Sequence, residues 1–172
     1  MKTVFFDIDT QIDFVYPAGA LYVPGAEHIL PVIGELNRRA PLLISSMDAH
    51  SEDDPEFQIY PHHCVVGTPG QHKPAITLCD GQVIIEKQRL DCFSSPHLEP
   101  LLAELNADRY VVYGVVTEIC VRYAAFGLLK TGKPVEIVTD AVKTLDEKAA
   151  IEMFREFTAA GGRLTTSQTL RL

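Results

Sequence analysis

Residues 3–14 read TVFFDIDTQIDF, and the fold turns on where this stretch stops being a strand. Positions 3–8 form a short run that is apolar at nearly every place, as a strand buried on both faces requires. Runs of similar length recur at 42–46, 83–86, 110–116 and, later, in PVEIVTDAV at 134–142, with a helix-length pattern at 26–39 between the first two. Strands alternating with helices are the signature of stacked βαβ units, so the expected architecture is a three-layer α/β domain on a parallel sheet. Helix punctuation agrees: Ser95 and Pro96 open one helix, Thr144 with Glu147 forms a capping box for another, and Gly132 and Gly161 stand where helices stop. Asp80 and Gly81 read as a hairpin turn, which puts a small ribbon before the 83–86 strand. No repeat or linker divides the chain, and residues 1–172 are read as a single domain.

Composition excludes several functions. Fifteen Lys and Arg against twenty-three Asp and Glu leave a formal charge of -8, which repels phosphate backbones and anionic lipid. Neither nucleic acid nor a membrane is an expected partner. The longest apolar run, 110–116, falls far short of the ~20 residues a membrane helix needs, and Asp7 interrupts the N-terminus too early for a secretory signal. A cytoplasmic protein is expected. Cys64, Cys79, Cys92 and Cys120 show no CxxC spacing and in a reducing compartment are read as free thiols.

Beyond residue 8, the period of two in an extended strand puts Asp7, Asp9 and Gln11 on one face, at the carboxyl end where open α/β sheets bind ligands. Alone, this supports three readings. One is a solvated turn whose Asp caps local N–H groups. Another is a magnesium phosphatase of the haloacid dehalogenase type, because DIDT at 7–10 resembles that superfamily's DxDxT motif with Asp7 as nucleophile; the paired acids expected near the end of such a chain reduce here to Asp140, with Asp146 beyond it. The third is an acid in a different catalytic group, and three further features favour it.

The segment from 48 to 76 is long, with four prolines and four of the six histidines, the kind of loop that carries function. In it SSMDAH sets Asp48 two residues before His50, and YPHHCVVGTPG supplies His63, with His62 as the alternative register. One carboxylate and two imidazoles suit zinc, manganese or iron better than magnesium, and Glu56 is a candidate fourth ligand. Cys120 lies in GVVTEICV, where a strand runs into Thr117, an N-cap candidate, and apolar residues 121, 124, 125, 128 and 129 follow helical spacing. In a first helical turn, free N–H groups and the dipole favour a thiolate and can hold an oxyanion; the competing reading is a small buried hydrophobe. Lys87 ends the strand VIIEK, either as a snorkelling surface residue or, in a parallel sheet, at the same edge as Asp9, Asp48 and Cys120.

Together these residues resemble the isochorismatase-like cysteine hydrolases, and within them the nicotinamidases, over nearly the whole chain. DTQIDF (9–14) is similar to the family's DxQxDF, MDAH (47–50) to its metal-binding DxH, YPHHCVVGTPG (60–70) to WPxHCVxGTPG, KQRLDCFS (87–94) to Lys followed by DxFS, and GVVTEICV with IVTDAV (137–142) to its nucleophile segment and following strand. The resemblance implies six mainly parallel strands flanked by helices, an Asp9-Lys87-Cys120 triad, metal ligands at Asp48, His50 and His63, and a cis peptide between Val115 and Val116. It also implies amide hydrolysis, since isochorismatases proper lack the cysteine. The expected reaction takes nicotinamide and water to nicotinate and ammonia, as in NAD salvage, through a thioester on Cys120. Asp9 is the base, Lys87 keeps it ionised, the backbone N–H groups of Val116 and Cys120 hold the oxyanion, and Phe14 and Tyr60 pack on the substrate ring. One divalent metal, zinc first, and a homo-oligomer are expected.

Asp7, Ile12, Ala49 and Tyr60 depart from the family's usual residues, and three of them line or adjoin the expected pocket. That keeps two further alternatives open beside the phosphatase: a metal-independent hydrolase of a ureide or other small amide, and a non-catalytic metal or small-molecule binding module. No GxGxxG follows the first strand, so a dinucleotide site has no support.

Overall fold

A computed structural model describes residues 1–171. Six strands, β1 (Thr3–Ile8), β2 (Leu43–Asp48), β3 (Val83–Lys87), β4 (Arg109–Val115), β5 (Val135–Lys143) and β6 (Arg163–Thr165), form one sheet in the order β3-β2-β1-β4-β5-β6. Every neighbouring pair is parallel, where the sequence led us to expect a mainly parallel sheet. β1, β2 and β4 are buried at every position, although Asp7 in β1 and Ser45, Ser46 and Asp48 in β2 interrupt their apolar runs; the edge strands β3 and β6 are partly exposed. β6 has only three residues, too few to carry a readable period.

After the single-turn helix α1 (Ile12–Val15), α2 (Leu30–Arg39) links β1 to β2, while α3 (Leu98–Leu105), α4 (Arg122–Leu129) and α5 (Glu147–Ala159) follow β3, β4 and β5. Right-handed crossovers running in opposite directions put α2 on one face and the other three on the other. The chain winds outward from β1 one way and from β4 the other. At that switch point an open sheet leaves a crevice beyond its carboxyl ends. Gly114 lets β4 pass β1 there: its φ is +118°, and a Cβ on it would sit 2.1 Å from the Ile8 carbonyl oxygen. Edge-to-face pairs, Phe5 with Tyr113 and Phe6 with Tyr110, lock the same two strands together.

Several local expectations are corrected. The helix at 26–39 is a 3₁₀ turn, Ala26–Ile29, continued by α2. Gly81 makes the expected turn at φ +76°, but no ribbon precedes β3; Ala75–Thr77 wind instead into a 3₁₀ turn whose Thr77 carbonyl accepts from Asn37 of α2. α3 begins at Leu98, and the Ser95 hydroxyl is buried without a partner rather than capping it. Asp146, not Thr144, caps α5, because its carboxylate accepts from the N–H groups of both Lys148 and Ala149; the Thr144 hydroxyl donates to Glu118 at 2.5 Å. Gly132 and Gly161 end helices at φ +74° and +95°, as expected. Among the described residues no helix is long and apolar enough to cross a membrane, and all four cysteines are free.

Candidate active site

Four strands deliver one functional group each to the crevice. Asp9 follows β1, Asp48 and Lys87 end β2 and β3 as register partners, and Cys120 follows β4. The backbone leaves the extended region at Asp9, with φ at +50°, and this defeats the period-two reading. Asp9 turns away from Asp7 and accepts from the Ser46 hydroxyl at 2.6 Å. Lys87 is the centre of the group. Its Nζ lies 2.9 Å from Asp9 Oδ2, hydrogen-bonds Asp48 Oδ1 and approaches Cys120 Sγ at 3.9 Å. The contact with Asp9 is an ion pair outside hydrogen-bond alignment, which leaves Asp9 Oδ2 without a directed partner. Lys87 is 1% exposed and so is no surface lysine.

Burial decides the protonation chemistry. It pushes the Cys120 thiol well above its ordinary value, with Lys87 pulling it down and Asp9 and Asp48 pushing it further up. Desolvation outweighs the helix-end field that favours a thiolate, which agrees with Asp9 being read as the acceptor of a thiol proton. Burial also raises Asp9, against the pull of Lys87, making it a stronger proton acceptor than an ordinary carboxylate. Asp48 stays below its usual value, because Lys87 and His50 together outweigh its burial. Lys87 is held well above its own value by Asp9, Cys120 and Asp48 in spite of burial. Thr117 does not cap a helix; its hydroxyl donates to the Lys143 carbonyl at 2.8 Å, and Cys120 sits in a π-type turn, Thr117–Val121, ahead of α4. The peptide between Val115 and Val116 is cis.

Beside this group lies a cluster with the chemistry of a metal site. One ligand atom from each of Asp48, His50 and His63 lies within 4.8 Å of the others, and all three residues are buried. His50 Nδ1 is 3.0 Å from Asp54 Oδ2, and His63 Nδ1 is 2.7 Å from the Pro61 carbonyl oxygen. With those ring nitrogens carrying hydrogen, both Nε2 lone pairs face Asp48 Oδ2, at 3.7 and 3.9 Å. His50 Nε2 is buried with no hydrogen-bond partner. Burial opposes a charge on His50, yet Asp48 and Asp54 raise its pKa to about 9, so a cation at Nε2 would replace a proton there. An orphaned nitrogen and an N₂O donor set fit a divalent transition ion. Glu56 Oε1, 3.8 Å from His63 Nε2, is within reach as a further ligand. His62 is outside the cluster, stacked on Phe57 at 4.2 Å.

A small cavity of about 30 Å³ opens onto both groups. Asp48, Glu56, His63 and Cys120 form its polar side; Phe14 and Tyr60, the residues expected beside the substrate ring, line it together with Val116, expected as a backbone donor. Leu21, Leu90, Ile119 and Leu145 complete the wall and were not picked out in the sequence, since single apolar residues in loops and in one irregular turn carry no periodic signal. A wider groove on the flank, near Phe93, Tyr110 and Phe126, contains none of Asp9, Asp48, Lys87 or Cys120. Asp7 reaches neither: it is fully buried, its Oδ1 accepting from Thr10 and its Oδ2 from Asn37 and Lys73, which removes the nucleophile from the phosphatase reading. Lys73, Ser46 and Asp54 were missed in the sequence, and only Asp54, four residues after His50, carried a local signal.

Residues 3–169 match the Isochorismatase domain family. The nicotinamidase of Acinetobacter baylyi is 26% identical over 197 aligned residues, covering 95% of this chain and 92% of its own length. Among solved structures, the pyrazinamidase of Pyrococcus horikoshii in complex with zinc superposes with a TM-score of 0.90 at 30% identity, covering 96% of this chain and 99% of its own. A protein from L. infantum in complex with nicotinate gives 0.92 at 27% identity, covering 99% and 95%.

Proposed function

The chain belongs to the isochorismatase family, and from that premise we propose that it is a cysteine amidohydrolase acting on nicotinamide. The observation that carries the reading is the meeting of Asp9, Lys87 and Cys120 from three strand ends, with Lys87 Nζ 2.9 Å from the acid and 3.9 Å from the sulfur. The likeness to a nicotinamidase and to a nicotinate complex supports the choice of amide.

Asp9 accepts the thiol proton as Cys120 Sγ attacks the amide carbonyl, and the N–H groups of Val116 and Cys120 receive the oxyanion. The same proton passes to the departing nitrogen and ammonia leaves a thioester. Asp9 then takes a proton from water, whose oxygen attacks the acyl carbon and releases the carboxylate and the thiol. Lys87 offsets the cost of an ionised, buried Asp9 throughout. Phe14 and Tyr60 bear on the ring. Asp48, His50 and His63, with Glu56 nearby, would hold a divalent transition ion, zinc by their donor set, which supplies a Lewis-acidic anchor for the ring nitrogen.

Ammonia release from nicotinamide by the zinc-loaded protein tests the reading. Cys120→Ala should lose activity by about 10³-fold or more while its melting stays that of the wild type. Equal rates in the two proteins would remove the nucleophile, and an inactive wild type would remove the substrate.

A further inference from the structure

We propose that the buried cluster of Lys73, Asp7 and Thr10 is a positioning device for Asp9, so that proton transfer at Cys120 depends on residues that never touch the substrate. The proposal rests on the reading of Asp9 as the base.

Asp9 is a non-glycine residue at φ +50°, a conformation L-residues rarely adopt. The residues flanking it are tied together across it. Thr10 Oγ1 donates to Asp7 Oδ1 at 2.7 Å, and the Lys73 ammonium binds both Asp7 Oδ2, at 2.8 Å, and Thr10 Oγ1. Asn37 Nδ2 adds a bond to Asp7 Oδ2 at 2.8 Å, and Asn37 is itself fixed by the Tyr113 hydroxyl at 2.7 Å. All five residues are buried. This closes a loop from residue 7 to residue 10 with Asp9 inside it, and so sets the direction in which the Asp9 carboxylate leaves, toward Ser46 and Lys87. The segment that carries Lys73 reinforces the hold. The Gln71 carbonyl accepts from Gln11 Nε2 and the His72 carbonyl from the Ile12 N–H, each at 2.8 Å. Residues 71–73 therefore grip 10–12 immediately behind the acid, and the ammonium closes the grip.

Stability alone does not account for this cluster. The desolvation of a buried ion pair roughly cancels its attraction, and an apolar replacement of equal volume is often neutral or better. What bonded charges supply, and methyl groups do not, is direction. Displacing a catalytic group by about 1 Å can cost as much as a hundredfold in rate.

The test removes the charges without leaving one unpaired. In the triple variant Asp7→Leu/Thr10→Val/Lys73→Met, melting should stay near that of the wild type while kcat for nicotinamide falls about 10- to 100-fold with KM little changed. Thr10→Val alone should cost about tenfold and Thr10→Ser should restore the rate, which decides the matter should the triple variant not fold. Alkylation of Cys120 by iodoacetamide, followed on its peptide by mass spectrometry, needs no amide substrate and should slow in the same variants, with Asp9→Asn marking the floor. Wild-type kcat and alkylation in the folded triple variant, or in Thr10→Val, overturns the proposal. Slowed alkylation beside a wild type inactive on nicotinamide supports the positioning role and removes the substrate. Equal alkylation of Asp9→Asn and wild type removes the base, and this inference with it.

Discussion

Two buried aspartate-lysine pairs stand two residues apart on one strand end, and their separations are nearly equal: 2.8 Å for Asp7 with Lys73 and 2.9 Å for Asp9 with Lys87. What surrounds them differs. Asp7 has both oxygens bonded, to Thr10 on one side and to Asn37 and Lys73 on the other. Asp9 has one oxygen bonded to Ser46 and the other without a directed partner, its lysine is shared with Asp48, and a thiol lies 3.9 Å from that lysine. Proximity of charges therefore does not distinguish the structural pair from the reactive one. The distinction lies in hydrogen bonding: three directed donors hold Asp7 as a carboxylate, while Asp9 keeps an oxygen open toward the crevice.

The widest separation between the pairs should appear in catalysis. Asp9→Asn should lower kcat for ammonia release by about 10²- to 10⁴-fold, the usual contribution of a positioned acid-base group. Its fold should survive, since Lys87 keeps Asp48. In urea titration the order reverses. Asp7→Asn strands the Lys73 ammonium in the interior and should cost about 3–5 kcal/mol, the usual penalty for breaking a buried pair from one side. Asp9→Asn should lower the urea midpoint less, because Lys87 keeps Asp48 as a partner. A midpoint lowered as far by Asp9→Asn as by Asp7→Asn would erase the contrast.

The sequence makes the reactive pair legible and hides the structural one. Strands buried on both faces leave largely apolar runs, so β1 and β4 can be read and β2 from its apolar start, and in a parallel sheet their carboxyl ends converge, which puts Asp9, Asp48, Lys87 and Cys120 at one edge; their grouping into a triad rests on the resemblance to the family. Lys73 could not be found this way. It meets Asp7 from 66 residues away out of a loop with no period, and the left-handed backbone at Asp9 has neither glycine nor asparagine to announce it. The helix end beside Cys120 can be inferred from sequence, but the depth of burial that outweighs its field cannot.

The metal cluster extends the contrast to a third buried aspartate. Asp48 is bonded to Lys87 through Oδ1 and turns Oδ2 toward two imidazoles. His50→Ala and His63→Ala should each lose bound zinc, measured by competition with a chromogenic chelator. Asp54→Ala, which frees His50 Nδ1, should weaken zinc affinity by about 10- to 100-fold. Thr10→Val should leave it unchanged. A Thr10 variant that lost zinc would mean that the Asp7 network supports the whole crevice rather than the acid.

The smallest effect at neutral pH, and the sharpest discrimination, is the order of losses on acidification. In the proposed mechanism the active form of Asp9 is ionised, and burial places its pKa above 3.8, so kcat/KM with zinc in excess should decline as pH falls through that elevated value. Asp48 carries the opposite shift. Its pKa is held below 3.8 against burial by Lys87 and His50, so it contributes stability that is present above 3.8 and lost only as pH falls through its lower folded value. Activity should therefore disappear at higher pH than tyrosine fluorescence or circular dichroism detects unfolding, and return when the protein is brought back to neutrality. If the two transitions coincided, the acid limb would report collapse of the crevice, and the proton on Asp9 would have no separate part in it.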